Sequence, residues 1–128
     1  MPTATSDPID LSRFDVVVVP FPFTDKAAAK RRPALVISNA SAFNRGAAHS
    51  VMAMITSAGN ASWPLDASLT NLASAGLPSP SVVRMKLFTL DHRFVIRKSG
   101  RLATRDATQV EASLAALLLP KSARLGKA

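Results

Sequence analysis

Arginine and hydroxyl side chains at the ends of apolar segments are the residues of this chain best suited to chemistry. Arg32 follows two other cations and precedes Pro33, where we expect an apolar strand to begin because proline fixes its own φ. Arg32 would then be exposed at the mouth of a strand, where its guanidinium suits a phosphate. Thr56 and Ser57 stand at the end of a third apolar segment, 51–55.

A second pair of cations, Arg84 and Lys86, is expected on one face of a later strand because residues two apart point the same way. Arginine and threonine are not bases near neutral pH, but they can stabilise a phosphorane by charge-assisted and hydroxyl hydrogen bonds. Such a site suits a substrate that carries its own nucleophile, as RNA does in its 2′-hydroxyl. This chemistry needs no metal, and a chain without cysteine and with two histidines has no zinc signature.

Each of these side chains also has a structural interpretation, which the sequence leaves open. Thr56 and Ser57 can be the hydroxyl pair of a turn. Arg84 can form a cross-strand ion pair, and Arg32 can bind its neighbour Asp25. The residue types alone therefore make RNA cleavage a hypothesis.

The two histidines offer a different kind of site. His49 and His92 could form an acid–base pair, but both fall in predicted loops. Two exposed histidines are therefore the simpler interpretation.

The charge balance favours an anionic partner. Sixteen Lys+Arg against eight Asp+Glu give a formal net charge of +8 on 128 residues. Nucleic acid, an acidic protein segment and anionic lipid are the candidate partners. The N-terminus has no apolar segment typical of a secretory signal, and no run reaches the length of a membrane span. The absence of cysteine is compatible with a reducing cytoplasm.

Hydrophobic and β-branched residues predict a mainly β domain at 14–119, with a flexible lead-in at 1–13 and a basic tail at 120–128. Strands are expected at 15–19, 34–38, 51–55, 63–65, 81–90 and 94–103. The last two are joined as a hairpin at 91–93, and Gly100 suggests a bulge. The segment 39–50 is expected to be a loop or a short helix.

Two helices complete the prediction. Thr70 or Asn71 can cap a short helix that Gly76 ends. Asp106 and Gln109 fit a capping box for a final helix that Pro120 ends. Its apolar stripe consists of Val110, Leu114, Leu117 and Leu118. The sum is a small antiparallel barrel of five to seven strands with one main helix packed on it.

Several ordered motifs resemble MazF/PemK-type toxins. The segments FDVVVVPFPFTD at 14–25 and KRRPALVIS at 30–38 are similar to the opening of these proteins. The resemblance continues through MITS at 54–57, AGLPSPSVVR at 75–84 and GRL at 100–102. It spans about residues 14–119, and it implies a small SH3-like barrel with a C-terminal helix.

The resemblance also implies a function. The family is the toxin half of bacterial type II toxin–antitoxin pairs, made of cytoplasmic, cofactor-free and metal-independent endoribonucleases. Its members cut single-stranded RNA at short sequences and leave a 2′,3′-cyclic phosphate and a 5′-hydroxyl. A homodimer binds RNA along the dimer face, and a cognate antitoxin blocks that groove with an extended, often acidic tail. Sequence specificity would lie in the loops Thr24–Arg31 and Asn39–Ser50.

Site residues follow from the resemblance by position. Arg32 would act on the scissile phosphate and as general acid to the leaving 5′-oxygen, and Thr56 would stabilise the transition state. Where one branch of the family has an aspartate proposed as a base, this chain has Lys86, and Phe14 replaces a common glycine. The supporting or RNA-binding residues would be Arg31, Ser57, Arg84, Lys86 and Asn39.

Two alternatives share the same fold. One is a non-catalytic gyrase inhibitor of the CcdB branch, although the tail here ends without an aromatic anchor. The other is a degenerate member that binds RNA or antitoxin without cleavage.

Overall fold

The computed structural model describes residues 9–21 and 30–122 of the chain. Predictions that fall on residues 1–8, 22–29 and 123–128 lie outside this range, among them most of the Thr24–Arg31 loop, the Arg32–Asp25 contact and most of the basic tail. Six antiparallel strands form one sheet: β1 (Asp15–Phe21), β2 (Lys30–Val36), β3 (His49–Ser57), β4 (Ala67–Ser68), β5 (Ser81–Asp91) and β6 (Arg97–Arg101). Their spatial order is β4-β5-β3-β2-β1-β6.

Helical segments connect and cover this sheet. A π-helical turn (Ala40–Asn44) leads into α1 (Arg45–Ala47), α2 is Leu72–Ala75, a 3₁₀ turn spans His92–Phe94, and α3 is Thr104–Leu118. The sheet curls into a half-barrel with α3 packed on it, which confirms the predicted small barrel with a C-terminal helix. No helix of the described residues is long and apolar enough to cross a membrane.

Both faces of the sheet carry buried apolar side chains. Alternate residues of a strand point to opposite faces, so each of the long strands contributes to two clusters. One cluster packs Val16, Leu35 and Val83 against Val110 and Leu114 of α3. The other cluster lies on the opposite face and contains Val17, Val19, Ala34, Met52 and Leu90. The second face also carries the residues of the candidate site.

The start of β2 differs from the prediction. Within the described residues the strand begins at Lys30, so Arg32 lies inside β2 opposite Val19 and not at its mouth. Pro33 is tolerated because β2 pairs with β3 from Ala34 onward. A missing N–H at Pro33 therefore leaves no β2–β3 ladder bond unmade.

The predicted hairpin of the last two strands is wrong, since β6 pairs with β1 at the far edge of the sheet. The 3₁₀ turn redirects the chain: the Asp91 carboxylate accepts from Arg93 N at 2.9 Å, and the turn buries His92. The predicted irregularity at Gly100 is present as a register shift opposite Val16 and Val17. A Cβ at Gly100 would lie 2.4 Å from the Ser74 carbonyl oxygen, so only glycine fits this contact with α2.

The short helix α2 agrees with its prediction. The Asn71 side chain accepts from Ser74 N at 3.0 Å, and Gly76 ends the helix with φ +71°. The strand predicted at 63–65 is wrong, because these residues form a turn and β4 comes later. Leu65 has a φ of +68°, which is incompatible with a regular strand.

The capping box of the final helix is also wrong. α3 begins at Thr104 without a side-chain cap, and Asp106 is buried inside its first turn. The carboxylate bonds across to the backbone N–H groups of Thr70 and Asn71. Val110 and Leu114 of the predicted stripe are buried, whereas Leu117 and Leu118 are exposed.

Residues 9–13 pack on the domain, although they were expected in a flexible lead-in. Leu11 is 1% exposed, and its carbonyl accepts from the Asn44 side chain at 3.0 Å. Ser12 N donates to the Asp15 carboxylate at 2.8 Å. The packed domain therefore begins ahead of β1.

Candidate active site

The candidate site is a cleft that opens where β2 and β3 separate. The two strands pair through Ala34 and Met54, but β2 before this point and β3 beyond it have no mutual ladder. A cleft of about 230 Å³ fills the gap. It brings together four residues predicted from the sequence: Arg32, Thr56, Arg84 and Lys86.

Arg32 presents an open guanidinium to this cleft. Arg32 is exposed, and its guanidinium makes no hydrogen bond or ion pair with any of the residues that the structure describes. Its backbone is held by pairing with Val19 and by the rigid Pro33. With no carboxylate partner among the described residues, Arg32 keeps its five donors available for an anion.

Thr56 lies across the cleft near the end of β3, with its hydroxyl already engaged on one side. The Asn60 side-chain amide donates to Thr56 Oγ1 at 2.6 Å. Because this oxygen accepts from Asn60, the hydroxyl hydrogen stays free to donate elsewhere. Asn60 thus orients Thr56 as a donor toward the cleft.

Arg84 is held very differently from Arg32. Its guanidinium forms two bonds with the Asp66 carboxylate, at 3.2 and 3.0 Å, and donates to the Ala61 carbonyl at 2.7 Å. The side chains of Arg84 and Asp66 are 11% and 12% exposed. The Arg84 hydrogen bond holds the pKa of the Asp66 carboxyl below its ordinary value against the opposing effect of burial. An ion pair of Arg84 is therefore present, but it is not the predicted cross-strand pair, because its partner Asp66 lies just ahead of β4.

Cations continue beyond the cleft. Lys86 lies over the Phe21 ring, 5.7 Å from its centroid, at the cleft wall. Arg32 also borders a neighbouring hollow of about 250 Å³, where Arg31 and Arg97 join it. Arg31 alternates with Arg32 along β2 and Arg97 pairs with Val18, so these two cations lie on the sheet face opposite the cleft.

Other predicted residues are not at the cleft. Ser57 points away from Thr56 because side chains alternate along the strand, and its hydroxyl accepts from Gly59 N at 3.2 Å. This is the turn hydroxyl foreseen as its structural interpretation. Asn39 caps the π-helical turn beyond the opposite end of β2, where it accepts from Ala42 N at 2.8 Å.

The histidines form no acid–base pair at this site. His92 is 2% exposed and lies 2.6 Å from the buried Ser50 hydroxyl, so the interpretation of two exposed histidines is wrong for it. His49 is partly exposed and faces Asp91 at 3.9 Å. Neither histidine lines the cleft.

Sequence reasoning missed Asn60, Trp63 and Asp66. Asn60 follows a glycine in a turn, a position that suggests structure more readily than chemistry. The sequence pattern predicts a strand for Trp63, the chain's sole tryptophan, but in the structure Trp63 lines the cleft. The spacing of Asp66 and Arg84 gives no local signal, because their contact depends on the pairing of β4 with β5.

Comparison with known proteins shows the family. A model of the family described as PemK-like, MazF-like toxin of type II toxin–antitoxin system matches residues 12–118. This chain, with its half-barrel and cationic cleft, therefore belongs to the PemK-like, MazF-like toxins of type II toxin–antitoxin systems. The comparison with curated proteins gave no match.

Solved structures have the same fold. A MazE–MazF complex from Deinococcus radiodurans is 25% identical, covers 86% of this chain and 97% of its own, and has a TM-score of 0.68. An endoribonuclease in complex with its cognate antitoxin from a mycobacterial species is 20% identical, with coverages of 87% and 96% and a TM-score of 0.65. The Mycobacterium tuberculosis toxin MazF-mt6 is 17% identical, with coverages of 80% and 93% and a TM-score of 0.62.

Proposed function

We propose that this toxin is a metal-independent endoribonuclease that cuts single-stranded RNA at a specific sequence through attack by the 2′-hydroxyl. The observation that carries the proposal is the Arg32 guanidinium, which has no partner among the described residues, beside a Thr56 hydroxyl that Asn60 orients as a donor. Two donors of this kind on opposite walls of a cleft suit a phosphate that gains negative charge during reaction. Endoribonuclease activity is also what the family leads us to expect.

The reaction is an internal transesterification. The 2′-oxygen forms a bond to phosphorus and loses its proton, while the bond from phosphorus to the 5′-oxygen breaks and that oxygen gains a proton. The products are a 2′,3′-cyclic phosphate and a 5′-hydroxyl, with no net change in protons. Arg32 binds the equatorial phosphoryl oxygens and delivers a proton to the 5′-oxygen, and the guanidinium then regains a proton from solvent. Thr56 donates to the developing charge.

The base for the 2′-hydroxyl is not a carboxylate at the position of Lys86. Among the described residues that line the cleft, none is a carboxylate or an imidazole. The nearby Asp66 is committed to Arg84, and its lowered pKa makes it a poor base. We propose that the 2′-proton passes to solvent and that Lys86 contributes charge to RNA binding.

An antitoxin and a second copy of the chain are the proposed protein partners. Two of the similar solved structures are complexes of a toxin with its antitoxin. The net charge of +8 suits both RNA and an acidic antitoxin tail. Arg31 and Asn39 belong to the two segments, Thr24–Arg31 and Asn39–Ser50, that we expect to recognise the RNA sequence. Because the proposed substrate is RNA, the cytoplasm is the expected location.

The first test is cleavage of a long single-stranded RNA by the purified protein in excess EDTA, with analysis of the fragment ends. We expect discrete cuts with cyclic phosphate ends. Arg32→Ala should lower kcat by at least about 100-fold, the cost of losing one transition-state donor. Its thermal unfolding should be unchanged because Arg32 is exposed.

Arg105→Ala is the matched control, since Arg105 is an exposed arginine on α3 outside the cleft. It should cut RNA at the wild-type rate. Intact RNA after incubation with folded wild-type protein would reject the nuclease and leave a binding-only toxin. A fully active Arg32→Ala variant would reject the assignment of Arg32.

A further inference from the structure

Trp63 is an exposed indole at the edge of the proposed catalytic cleft. It is 45% exposed and lines the same cleft as Arg32 and Thr56. A single exposed aromatic residue on a protein surface needs no explanation in itself. Trp63 differs because the structure fixes it from behind and leaves part of its surface open.

The support behind the ring is Arg84. The Arg84 guanidinium carbon lies over the Trp63 ring, 4.9 Å from the centroid. That guanidinium is itself anchored by Asp66 and by the Ala61 carbonyl. A cation stacked on one face of an indole holds the ring in place and leaves the other face available.

The backbone of Trp63 is fixed by the same carboxylate. Trp63 N donates to Asp66 Oδ2 at 2.9 Å, and Asp66 N donates to the Trp63 carbonyl at 3.3 Å. One largely buried Asp66–Arg84 pair therefore sets both the main chain and the ring plane of Trp63. This arrangement costs little ordering entropy when a ligand arrives, because the platform is already formed.

We propose that Trp63 is a stacking platform for a nucleobase of the RNA next to the scissile phosphate, and that Arg84 and Asp66 are positioning residues that hold it. The proposal rests on the proposed nuclease function and extends it to one subsite. Single-stranded RNA offers splayed bases, which proteins bind by stacking them on aromatic side chains. Arg84, whose charge Asp66 matches, then supports the base and does not bind phosphate.

The chain supplies its own probe for this contact. Trp63 is the sole tryptophan and there is no tyrosine, so the intrinsic indole emission reports Trp63 alone. We would titrate wild-type protein with 2′-O-methyl decamers, which lack the nucleophile and stay intact. A decamer with abasic sugars is the matched ligand, since it carries the same phosphates without bases. Quenching by the base-containing decamers and not by the abasic decamer is the expected result.

The variants test the contribution of stacking to the reaction. Trp63→Ala should raise KM for RNA roughly ten- to hundredfold, with kcat changed by less than about threefold, because loss of one stacked base weakens binding by that amount. Trp63→Phe should recover most of the affinity. Phe94→Ala is the control, since Phe94 is also 45% exposed and lies outside the cleft.

Arg84→Lys separates positioning from phosphate binding. Lysine keeps the charge but loses the paired hydrogen bonds and the flat stacking surface. We expect Arg84→Lys to raise KM for RNA. We expect Arg84→Met, which removes the charge, to leave the dependence of RNA binding on salt unchanged. If Arg84 bound a phosphate, removal of its charge in Arg84→Met would lower the salt slope by about 0.7.

The outcomes distinguish this inference from the proposed function. Cleavage with equal quenching by intact and abasic decamers, or with wild-type KM in Trp63→Ala, would overturn the platform and leave the nuclease standing. Base-dependent quenching without cleavage would support the platform and reject the nuclease. Base-dependent quenching that Arg84→Lys leaves untouched would reject Arg84 as a positioning residue.

Discussion

Two arginines on strands that flank β3, Arg32 on β2 and Arg84 on β5, have different surroundings in one cleft. Arg32 is exposed without a partner among the described residues, whereas Arg84 is nearly buried and held by Asp66. A free guanidinium can bind an incoming phosphate, but a neutralised one would first have to leave its carboxylate. The contrast gives Arg32 the chemical role in our proposal and Arg84 the role of supporting Trp63.

The Asn60–Thr56 contact leads to a residue-scale prediction. Asn60→Ala should lower kcat for RNA cleavage about tenfold, because the Thr56 hydroxyl loses the bond that orients it. Thr56→Val should lower it at least as much. If Asn60 acts through Thr56, adding Asn60→Ala to Thr56→Val should have no further effect, as measured by a double-mutant cycle. Additive losses would show that Asn60 acts on the substrate directly.

At the scale of elements, a buried carboxylate ties α3 to the loop ahead of α2. Asp106 is 1% exposed and accepts from Thr70 N, Thr70 Oγ1 and Asn71 N at 2.8 to 3.1 Å. Burial acts to raise the pKa of Asp106, but the hydrogen bonds from Asn71 and Thr70 outweigh it and lower the pKa. The carboxylate thus stabilises the contact in its charged form.

This link predicts a pH dependence of stability. In the unfolded chain the Asp106 carboxyl has the ordinary pKa of an aspartate, and in the folded protein its pKa is lower. Its contribution is therefore complete above about pH 4 and is lost as pH falls through the folded pKa. Asp106→Asn should lower the free energy of unfolding at pH 7 by about 2 kcal/mol. The free energy of unfolding should also fall less steeply with decreasing pH than in the wild type, as measured by urea denaturation.

Glu111→Gln is the control on the same helix. Glu111 forms an exposed ion pair with Arg13, which is worth little in water. This variant should keep the wild-type acid profile. The stability of Asp106→Asn should still decline somewhat in acid. The reason is Asp91, whose pKa Arg93 lowers to about 2, so that this carboxylate is also protonated in acid. An acid profile of Asp106→Asn equal to wild type would refute the assigned role.

At the scale of the whole molecule, part of the positive charge lies at the cleft and at the adjoining hollow. Four cations line it or the adjoining hollow without a carboxylate partner among the described residues: Arg31, Arg32, Lys86 and Arg97. Other cations, such as Arg93 and Arg101, are paired with aspartates. Arg32 and Lys86 lie at the cleft and Arg31 and Arg97 at the hollow, and each is suited to bind a phosphate of RNA.

These four cations predict the salt dependence of RNA binding. If each of the four cations neutralises one phosphate, log K for a non-cleavable 2′-O-methyl RNA should fall with log salt with a slope of about −3. Arg97→Ala should make the slope shallower by about 0.7, and Arg105→Ala should not change it. A slope near zero in the wild type would contradict phosphate binding by these cations.

Local sequence patterns predicted much of the fold and part of the candidate site. The strand at 81–90, the cap at Asn71 and the end at Gly76 depend on neighbouring residues, and all three agree with the structure. The pairing of β6 with β1 depends on which surfaces become buried together, and the predicted hairpin failed for that reason. The same limit applies to Asp106, which fits a capping box locally but bonds to a distant loop.

The sequence by itself determined the family, the alternation that builds a two-faced sheet, and the candidates Arg32 and Thr56. These depend on residue type, spacing and ordered motifs, which are local properties of the chain. Only the tertiary structure decided that Arg84 binds Asp66, that Asn60 orients Thr56, and that Trp63 lies over Arg84 at the cleft. Such contacts depend on how β2 and β3 separate and on how the loop before β4 folds back. A few ångströms in that packing decide whether a guanidinium is free or paired, and no spacing in the sequence encodes this distance.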